Sequence, residues 1–299
     1  MELDFFYRYP PVGDDDRRRG LHVSVAGHTR VPPHTRYPPT QHPDDYHFSW
    51  HKGRVLAEFQ VVYITRGRGT FESAASGKIP IAAGQAFALF PGVWHRYMPD
   101  KATGWDEYYV GFNGPLAPRL MADHALSPDV PVQAPGLDEA LVASFIRLFD
   151  ELRGQQAGYQ HLLAAGVVQI LARIRVAVQR RPFAGQPVRE IIEKARAALM
   201  ERTDQRVNVA RLARELHVGY SRFRRAFRDY TGMPPAQYHL QLRLNKAKDL
   251  LRNTRRPVGQ IARDTGFDSI FYFSRLFKAK TGQTPREFRT MHQGGASRE

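Results

Sequence analysis

Residues 258–289 read VGQIARDTGFDSIFYFSRLFKAKTGQTPREFR, and a weaker copy of this stretch lies 50 positions upstream. Residues of the same type recur at that offset: Phe223, Arg225, Phe227, Thr231, Gly232 and Pro235 match Phe273, Arg275, Phe277, Thr281, Gly282 and Pro285. The pair Leu212-Ala213 matches Ile261-Ala262 at an offset of 49, so the loop of the second copy is one residue longer. Self-similarity of this kind indicates a repeated supersecondary unit.

Each copy has the pattern of two short helices joined by a turn. Apolar spacing predicts helices over 209–216 and 221–230 in the first copy, and over 258–264 and 269–280 in the second. Glycine near these turns is expected because it adopts the positive φ of a tight turn without a steric cost. The pattern predicts two helix-turn-helix units, whose second helices fit the DNA major groove. A long helix over 236–252 is predicted to connect them rigidly.

The second helix of each unit carries the candidate DNA-contacting residues. In the first unit they are Ser221, Arg222, Arg224, Arg225 and Arg228, and arginine suits guanine edges and phosphates equally well. In the second unit they are Ile270, Phe271, Tyr272 and Arg275. Because this second set is mostly apolar, it would read thymine methyl groups or contribute shape and backbone contacts. The alternative is that some of its aromatic rings are buried in the core.

The charge is concentrated in the same part of the chain. The 299 residues carry 44 Lys+Arg and 29 Asp+Glu, a formal net charge of +15. From Phe183 onward there are 24 basic and 11 acidic residues, whereas the part before it has 20 and 18. A basic region attached to a nearly neutral one favours a polyanionic partner, with double-stranded DNA ahead of a membrane surface. A solvated basic surface without a partner is the alternative.

Two absences narrow the class of protein. Cysteine is absent, which excludes a disulfide scaffold, a Cys-ligated zinc site and a Cys nucleophile. No apolar run approaches the roughly 18 residues of a membrane span, and the acidic N-terminus lacks a secretory pattern. We therefore expect a cytoplasmic protein with no membrane partner.

The first half of the chain has a β pattern followed by a helical one. Short apolar runs between 55 and 112 alternate with Gly and Pro turns, which is typical of a sandwich or barrel. Within this region Gly67-Arg68-Gly69 is predicted to be a turn. Apolar residues spaced by three and four then predict amphipathic helices over 137–153 and 160–180, which would cover the barrel or form an oligomer interface.

These features together resemble the AraC/XylS family of bacterial transcription regulators. The motif from Ile261 to Arg289 is similar to the family signature, and the resemblance covers about 188–292. More loosely, Phe59–Gly69, Pro91-Gly92, His95 and Trp105 are similar to the cupin-type ligand barrel of its sugar-sensing branch. The resemblance implies a multidomain α+β fold: a cupin-like β-barrel with two C-terminal packing helices over 1–181, a linker over 182–187, and an all-α double helix-turn-helix domain over 188–292.

The sugar-sensing branch also implies where a ligand would bind. Strand alternation places His95 and Tyr97 on one face, and Glu107 and Tyr109 on one face. Arg54, near the barrel entrance, is a further candidate. A histidine, a carboxylate and aromatic rings suit a polyol, because they offer hydrogen bonds to hydroxyls and stacking against C–H groups. Each of these residues could instead be an ordinary barrel-interior residue.

The resulting prediction is a dimeric transcriptional activator, controlled by a sugar or sugar derivative and contacting RNA polymerase. We expect no catalytic residue, metal or cofactor. One alternative is a metal-dependent cupin enzyme fused to a DNA-binding domain. His95-Arg96-Tyr97 lacks a second histidine two residues on, and the upstream histidines lie in or near predicted loops: His22, His28, His34, His42, His47 and His51. The other alternative is an architectural DNA-binding protein whose barrel only dimerises.

Overall fold

The computed structural model describes residues 5–35, 37, 50–181 and 187–293. The predicted linker, except Pro187, lies outside these residues, as do His42 and His47. The chain divides into two compact units, Met1–Pro182 and Phe183–Glu299.

The N-terminal unit contains strands and four helices, in chain order β1 (Phe5–Arg8), α1 (Asp14–Arg18), β2 (His22–Val31), β3 (Phe59–Ser73), β4 (Gly77–Ala82), β5 (Gln85–Leu89), β6 (His95–Pro99), β7 (Trp105–Asn113), α2 (Ala117–Asp123), β8 (Val132–Gln133), α3 (Glu139–Gly154) and α4 (Tyr159–Arg180). The described part of the C-terminal unit contains helices only: α5 (Pro187–Glu201), α6 (Val209–Glu215), α7 (Tyr220–Thr231), α8 (Pro235–Asn253), α9 (Val258–Asp264), α10 (Ile270–Thr281) and α11 (Pro285–Gln293). The predicted fold class is confirmed, with a cupin-like antiparallel sheet domain before a helical domain.

Strand β3 organises the sheet. The strand order is β1-β2-β7-β3-β5-β8, and β4 and β6 also pair with β3, all antiparallel. The prediction of a turn at Gly67-Arg68-Gly69 is wrong, because β3 continues through it after an irregularity between Ile64 and Arg66. A Cβ atom on Gly67 would lie 2.0 Å from the Gly104 carbonyl oxygen, and one on Gly69 would lie 2.6 Å from the Trp105 ring. These glycines permit a bend and close backbone approach rather than a turn.

The two faces of this sheet bury different cores. The interior is filled by side chains that include Val62, Ile64, Phe71, Phe87 and Trp105. The outer face, with Val61, Tyr63 and Val110 among its residues, packs against Phe145 and Phe149 of α3 and against α4. Helices α3 and α4 are therefore the two packing helices expected from the sequence.

Helix α4 is long and apolar enough to cross a membrane by length and composition alone. In the structure its Leu163, Val167 and Ile170 are fully buried in the core beneath the sheet. Gln160 is also buried, and its side-chain amide bonds to both the N–H and the carbonyl of Val23 on β2. In total 28% of its apolar window is buried, and by length and composition α4 is an exception to the expectation that no apolar stretch approaches a membrane span.

In the C-terminal unit, α6–α7 and α9–α10 form the two helix-turn-helix units. Phe223 and Phe227 of α7 are buried with residues of α5 and α6, and Phe273 and Phe277 of α10 are buried with residues of α8, α9 and α11. Helix α5 was not predicted, although its buried Ile192, Ala195 and Leu199 have helical spacing. The first repeat therefore completes its core with α5, and the second with the later part of α8, both outside the repeated motif.

Helix α8 holds the two repeats together through buried polar side chains. Arg243 donates from Nε to the Thr265 carbonyl at 2.7 Å and lies 4.0 Å above the Phe267 ring. Nε2 of His239 lies 2.9 Å from the carbonyl oxygen of Arg202, at the end of α5. Backbone acceptors on both sides of α8 are thus satisfied from one rigid helix.

The positive φ of the first turn falls on a different residue from the one expected. Gly219 has φ −63° and precedes α7, whereas His217 has φ +54°. In the second unit Gly266 takes the left-handed position, with φ +73°. The first turn therefore contains a residue with a Cβ where the second contains glycine.

Replacing His217 by glycine should stabilise the C-terminal unit, since a side chain in the left-handed region costs about 1–2 kcal/mol. Gly266→Ala should destabilise it, because the added Cβ would lie 2.6 Å from the Gln205 Cα. Urea unfolding of the two variants measures both effects. A shift of both midpoints in the same direction would contradict the account of the two turns.

Candidate ligand pocket and nucleic-acid interface

The barrel interior brings together all five predicted ligand-contacting residues. An Arg54 terminal nitrogen donates to the Tyr97 hydroxyl at 2.7 Å, and its Nε lies 3.4 Å from Nε2 of His95. On β7, Glu107 and Tyr109 alternate with residues that face the helices, so both share the interior with Trp105. A Cβ on Gly27 would lie 2.5 Å from the Tyr109 hydroxyl, so this ring lies directly against strand β2.

Two backbone hydrogen bonds to strand β6 fix the position of Arg54. Its backbone N–H donates to the His95 carbonyl at 2.9 Å, and the His95 N–H donates back at 3.0 Å. Nε1 of Trp94 donates to the Lys52 carbonyl at 2.8 Å, and the Arg96 guanidinium lies 5.4 Å from the centre of the Trp94 ring. The backbone of strand β6 therefore places the Arg54 guanidinium beside His95 and Tyr97.

Burial controls protonation in this interior. It raises the pKa of Glu107 to about 8, although the Arg54 charge opposes the shift. Burial lowers the pKa of His95 to about 4, against a hydrogen bond to the Val93 carbonyl that raises it. Burial also raises the pKa of Tyr97 to about 12. At pH 7 His95 is therefore neutral and most Glu107 side chains are protonated, so the interior offers hydrogen-bonding groups around the guanidinium of Arg54.

Several of these interior groups are poorly hydrogen-bonded. Within the part of the chain that the structure describes, one carboxylate oxygen of Glu107, Thr29 Oγ1, the Tyr109 hydroxyl and Trp105 Nε1 make no hydrogen bond of good geometry. They lie near one another in pairs, because Trp105 lowers the pKa of Glu107 and Thr29 lowers that of Tyr109 through side-chain hydrogen bonding. Buried polar atoms in native proteins are nearly always paired, with protein, water or a ligand. This set of donors and acceptors is suited to bind a polar molecule.

Sequence reasoning missed two members of this interior. Thr29 lies on β2, and a single polar residue among the mostly apolar residues of this strand carries no pattern that marks it as an interior position. Tyr37 lies 6.3 Å from the Tyr97 ring and 6.1 Å from Trp105, centre to centre. A single tyrosine among prolines has no periodicity, so nothing in the sequence pointed to its position.

The histidines do not support the enzyme alternative. His22 and His28 lie on strand β2 rather than in loops, and His28 packs against Tyr108 with ring centres 4.3 Å apart, on the helix-covered face of the sheet. Among the described residues no group of three or more metal-ligating side chains could hold an ion.

The nine predicted DNA-contacting residues are all exposed, on the sides of α7 and α10 away from their buried phenylalanines. Within the described ranges Arg222, Arg224, Arg225 and Arg275 make no ion pair, while Arg228 lies 3.4 Å from Asp229. Neither aromatic ring of the second unit's predicted contact set is buried, because Phe271 is 84% and Tyr272 is 51% exposed. The two helices thus present side chains to a partner as recognition helices do.

Comparison with known proteins identifies both halves. Residues 33–171 match the AraC-like ligand binding domain, and residues 212–291 match a helix-turn-helix domain. The arabinose operon regulatory protein of Salmonella typhimurium is 32% identical over 210 residues, which cover 67% of this chain and 72% of that protein. The chain belongs to the AraC family of transcriptional regulators.

Other relatives of this AraC-family protein are also regulators. The MmsAB operon regulatory protein of Pseudomonas aeruginosa is 27% identical over 248 residues, covering 80% of this chain and 78% of that protein. The transcriptional activator RhaR of Mannheimia succiniciproducens is 35% identical over 130 residues, covering 44% and 47%. The family assigns the chain to DNA-binding regulators rather than enzymes, which overturns the metal-dependent cupin enzyme alternative.

The raised pKa of Glu107 predicts a pH dependence of stability. A folded-state pKa of about 8, above the usual 4.5, means that the folded state holds a proton that the unfolded state releases. The stability that the protonated Glu107 carboxyl contributes is present below pH 4.5 and is lost as the pH rises towards 8. The melting temperature of the wild type should therefore fall relative to that of Glu107→Gln between pH 5 and about 8. A difference that stays constant with pH would show that the carboxyl is not held protonated.

Proposed function

We propose that this AraC-family protein is a cytoplasmic, homodimeric, sequence-specific regulator that activates transcription when a sugar or sugar derivative occupies its barrel. The observation that carries the ligand part is the set of buried polar atoms on Thr29, Trp105, Glu107 and Tyr109, which lie beside one another without hydrogen bonds of good geometry. Because the family has a ligand-binding and a DNA-binding domain, occupancy of the first can change the affinity of the second.

A polyol matches the chemistry of this interior. Its hydroxyls can accept from Arg54 and Trp105 and can exchange hydrogen bonds with Glu107 and neutral His95. The aromatic rings around Tyr97 offer apolar faces to the C–H groups of a sugar ring. The Salmonella relative, an arabinose operon regulatory protein, supports a sugar, and RhaR, a transcriptional activator, supports activation.

The helices beside the barrel support a homodimer. Helix α4 exposes Leu162, Val168 and Val176, with exposed fractions of 55%, 40% and 38%, and α3 exposes Ile146 at 38%. Apolar side chains exposed along helices in this way mark interaction surfaces when they are contiguous. A second copy of the chain would cover them.

Arg225→Ala and Arg275→Ala should each weaken specific DNA binding by about 1–3 kcal/mol if these side chains read bases. The probe is a duplex selected by the full chain from a random pool, and affinities are measured near 150 mM salt because salt sets the nonspecific background. Arg119→Ala is the matched control, because it removes one positive charge from the exposed surface of α2. An unchanged ratio of specific to nonspecific affinity would exclude a base-reading role.

His95→Ala and Glu107→Ala should abolish the response of DNA binding to the effector while leaving the affinity of the ligand-free protein nearly intact. Both side chains lie inside the barrel, in a different compact unit of the chain from the recognition helices. The response is the change in duplex affinity on adding a pool of sugars, with Asp123→Ala as an outward-facing control. An equal loss of DNA binding in the ligand-free variants would make these residues structural.

A further inference from the structure

The first turn of α10 presents an apolar surface formed by Ile270, Phe271 and Tyr272. Phe271 is 84% exposed, more than any other large apolar side chain among the described residues, and the other two are 41% and 51% exposed. The core contacts of this helix come instead from Phe273 and Phe277. Phe271 therefore contributes little to the folding of its own unit.

The two residues beside Phe271 contact other parts of the C-terminal unit. Ile270 lies against α9, where its Cδ1 would be 3.2 Å from a Cβ on Gly259. The Tyr272 ring lies 6.3 Å from that of Phe267, and its backbone N–H donates to the side chain of Ser269. Within the described part of the chain no aromatic ring stacks on Phe271. The helix start is rigid, and the phenyl ring projects from it.

The first unit has different chemistry at the matching positions. At the offset of 50, Phe271 corresponds to Ser221 and Tyr272 to Arg222, whereas Arg275 corresponds to Arg225. Ile270 corresponds to Tyr220, which is 48% exposed, so the contrast lies at the next two positions, where the first helix is polar and basic and the second is aromatic. Both helices share an arginine one turn further on, although Arg224 of the first corresponds to Ser274 of the second.

An apolar side chain has one matching group in the major groove. Thymine presents a C5 methyl there, while the other bases present hydrogen-bonding groups. Phe271 and Arg275 are four residues apart and so share a helix face, which lets the arginine contact a base or phosphate beside the methyl. We propose, on the basis of the proposed function, that the second helix-turn-helix unit recognises thymine methyl groups through Phe271, which Ile270 flanks.

The test is single replacement of each thymine in the selected duplex by deoxyuridine, which removes only the methyl group. Affinities are measured by fluorescence anisotropy for the wild type, Phe271→Ala, Phe271→Leu and Ser221→Ala. At one or two thymines the wild type should lose about fourfold in affinity, the effect of burying one such group. Ser221→Ala should show the same loss of affinity, about fourfold, on methyl removal. Phe271→Leu should show most of that loss, and the affinity of Phe271→Ala should not change.

Equal losses for the wild type and Phe271→Ala would overturn the proposal, and so would a duplex in which no thymine responds. Since Phe271 is exposed, we expect its variants to melt at the wild-type temperature, and circular dichroism checks this. A pool that yields no enriched duplex would count against the proposed function itself, and the proposal would fail with it. If only the proposal on thymine methyl groups is wrong, the pool still yields an enriched duplex.

Discussion

A polar group taken out of water needs a partner, and the two halves of this chain meet that constraint differently. In the DNA-binding half the partners are internal: Arg243 and His239 of α8 lie at hydrogen-bonding distance from backbone carbonyls on either side. In the barrel, atoms of Glu107 and Tyr109 are buried without hydrogen bonds of good geometry among the described residues. The first arrangement fixes a geometry, whereas the second leaves hydrogen-bonding capacity for a ligand.

The arrangement of helices in the DNA-binding half follows from the need to bury apolar side chains. Each repeat is too small to bury its own phenylalanines, so α5 completes the core of the first and the later part of α8 completes that of the second. With the cores satisfied, the outer sides of α7 and α10 are free to differ. One begins with Ser221 and Arg222 and the other with Phe271 and Tyr272, so a single chain can present two unlike surfaces to adjacent stretches of DNA.

Much of this was predictable where a pattern repeats. The duplicated phenylalanines and glycines predicted the two helix-turn-helix units. Strand alternation placed His95 with Tyr97 on one face and Glu107 with Tyr109 on one face, and the structure brings the two pairs into one interior. Sequence reasoning failed where tertiary contacts decide. Gly67 and Gly69 looked like a turn because glycine's freedom is visible in the sequence, but the close approach of Gly104 and Trp105 is not. The left-handed His217 and the position of Tyr37 likewise depend on neighbours distant in the chain.

The central claim is that one chain joins sequence-specific DNA binding to a ligand in its barrel. Selection of genomic DNA fragments on the purified full chain, near 150 mM salt and with or without a pooled sugar mixture, tests it most directly. The account predicts enrichment of a few promoter fragments, with affinities that change when the sugars are added. Salt-sensitive binding to all fragments alike, with and without sugars, would contradict it and favour an architectural DNA-binding protein whose barrel only dimerises.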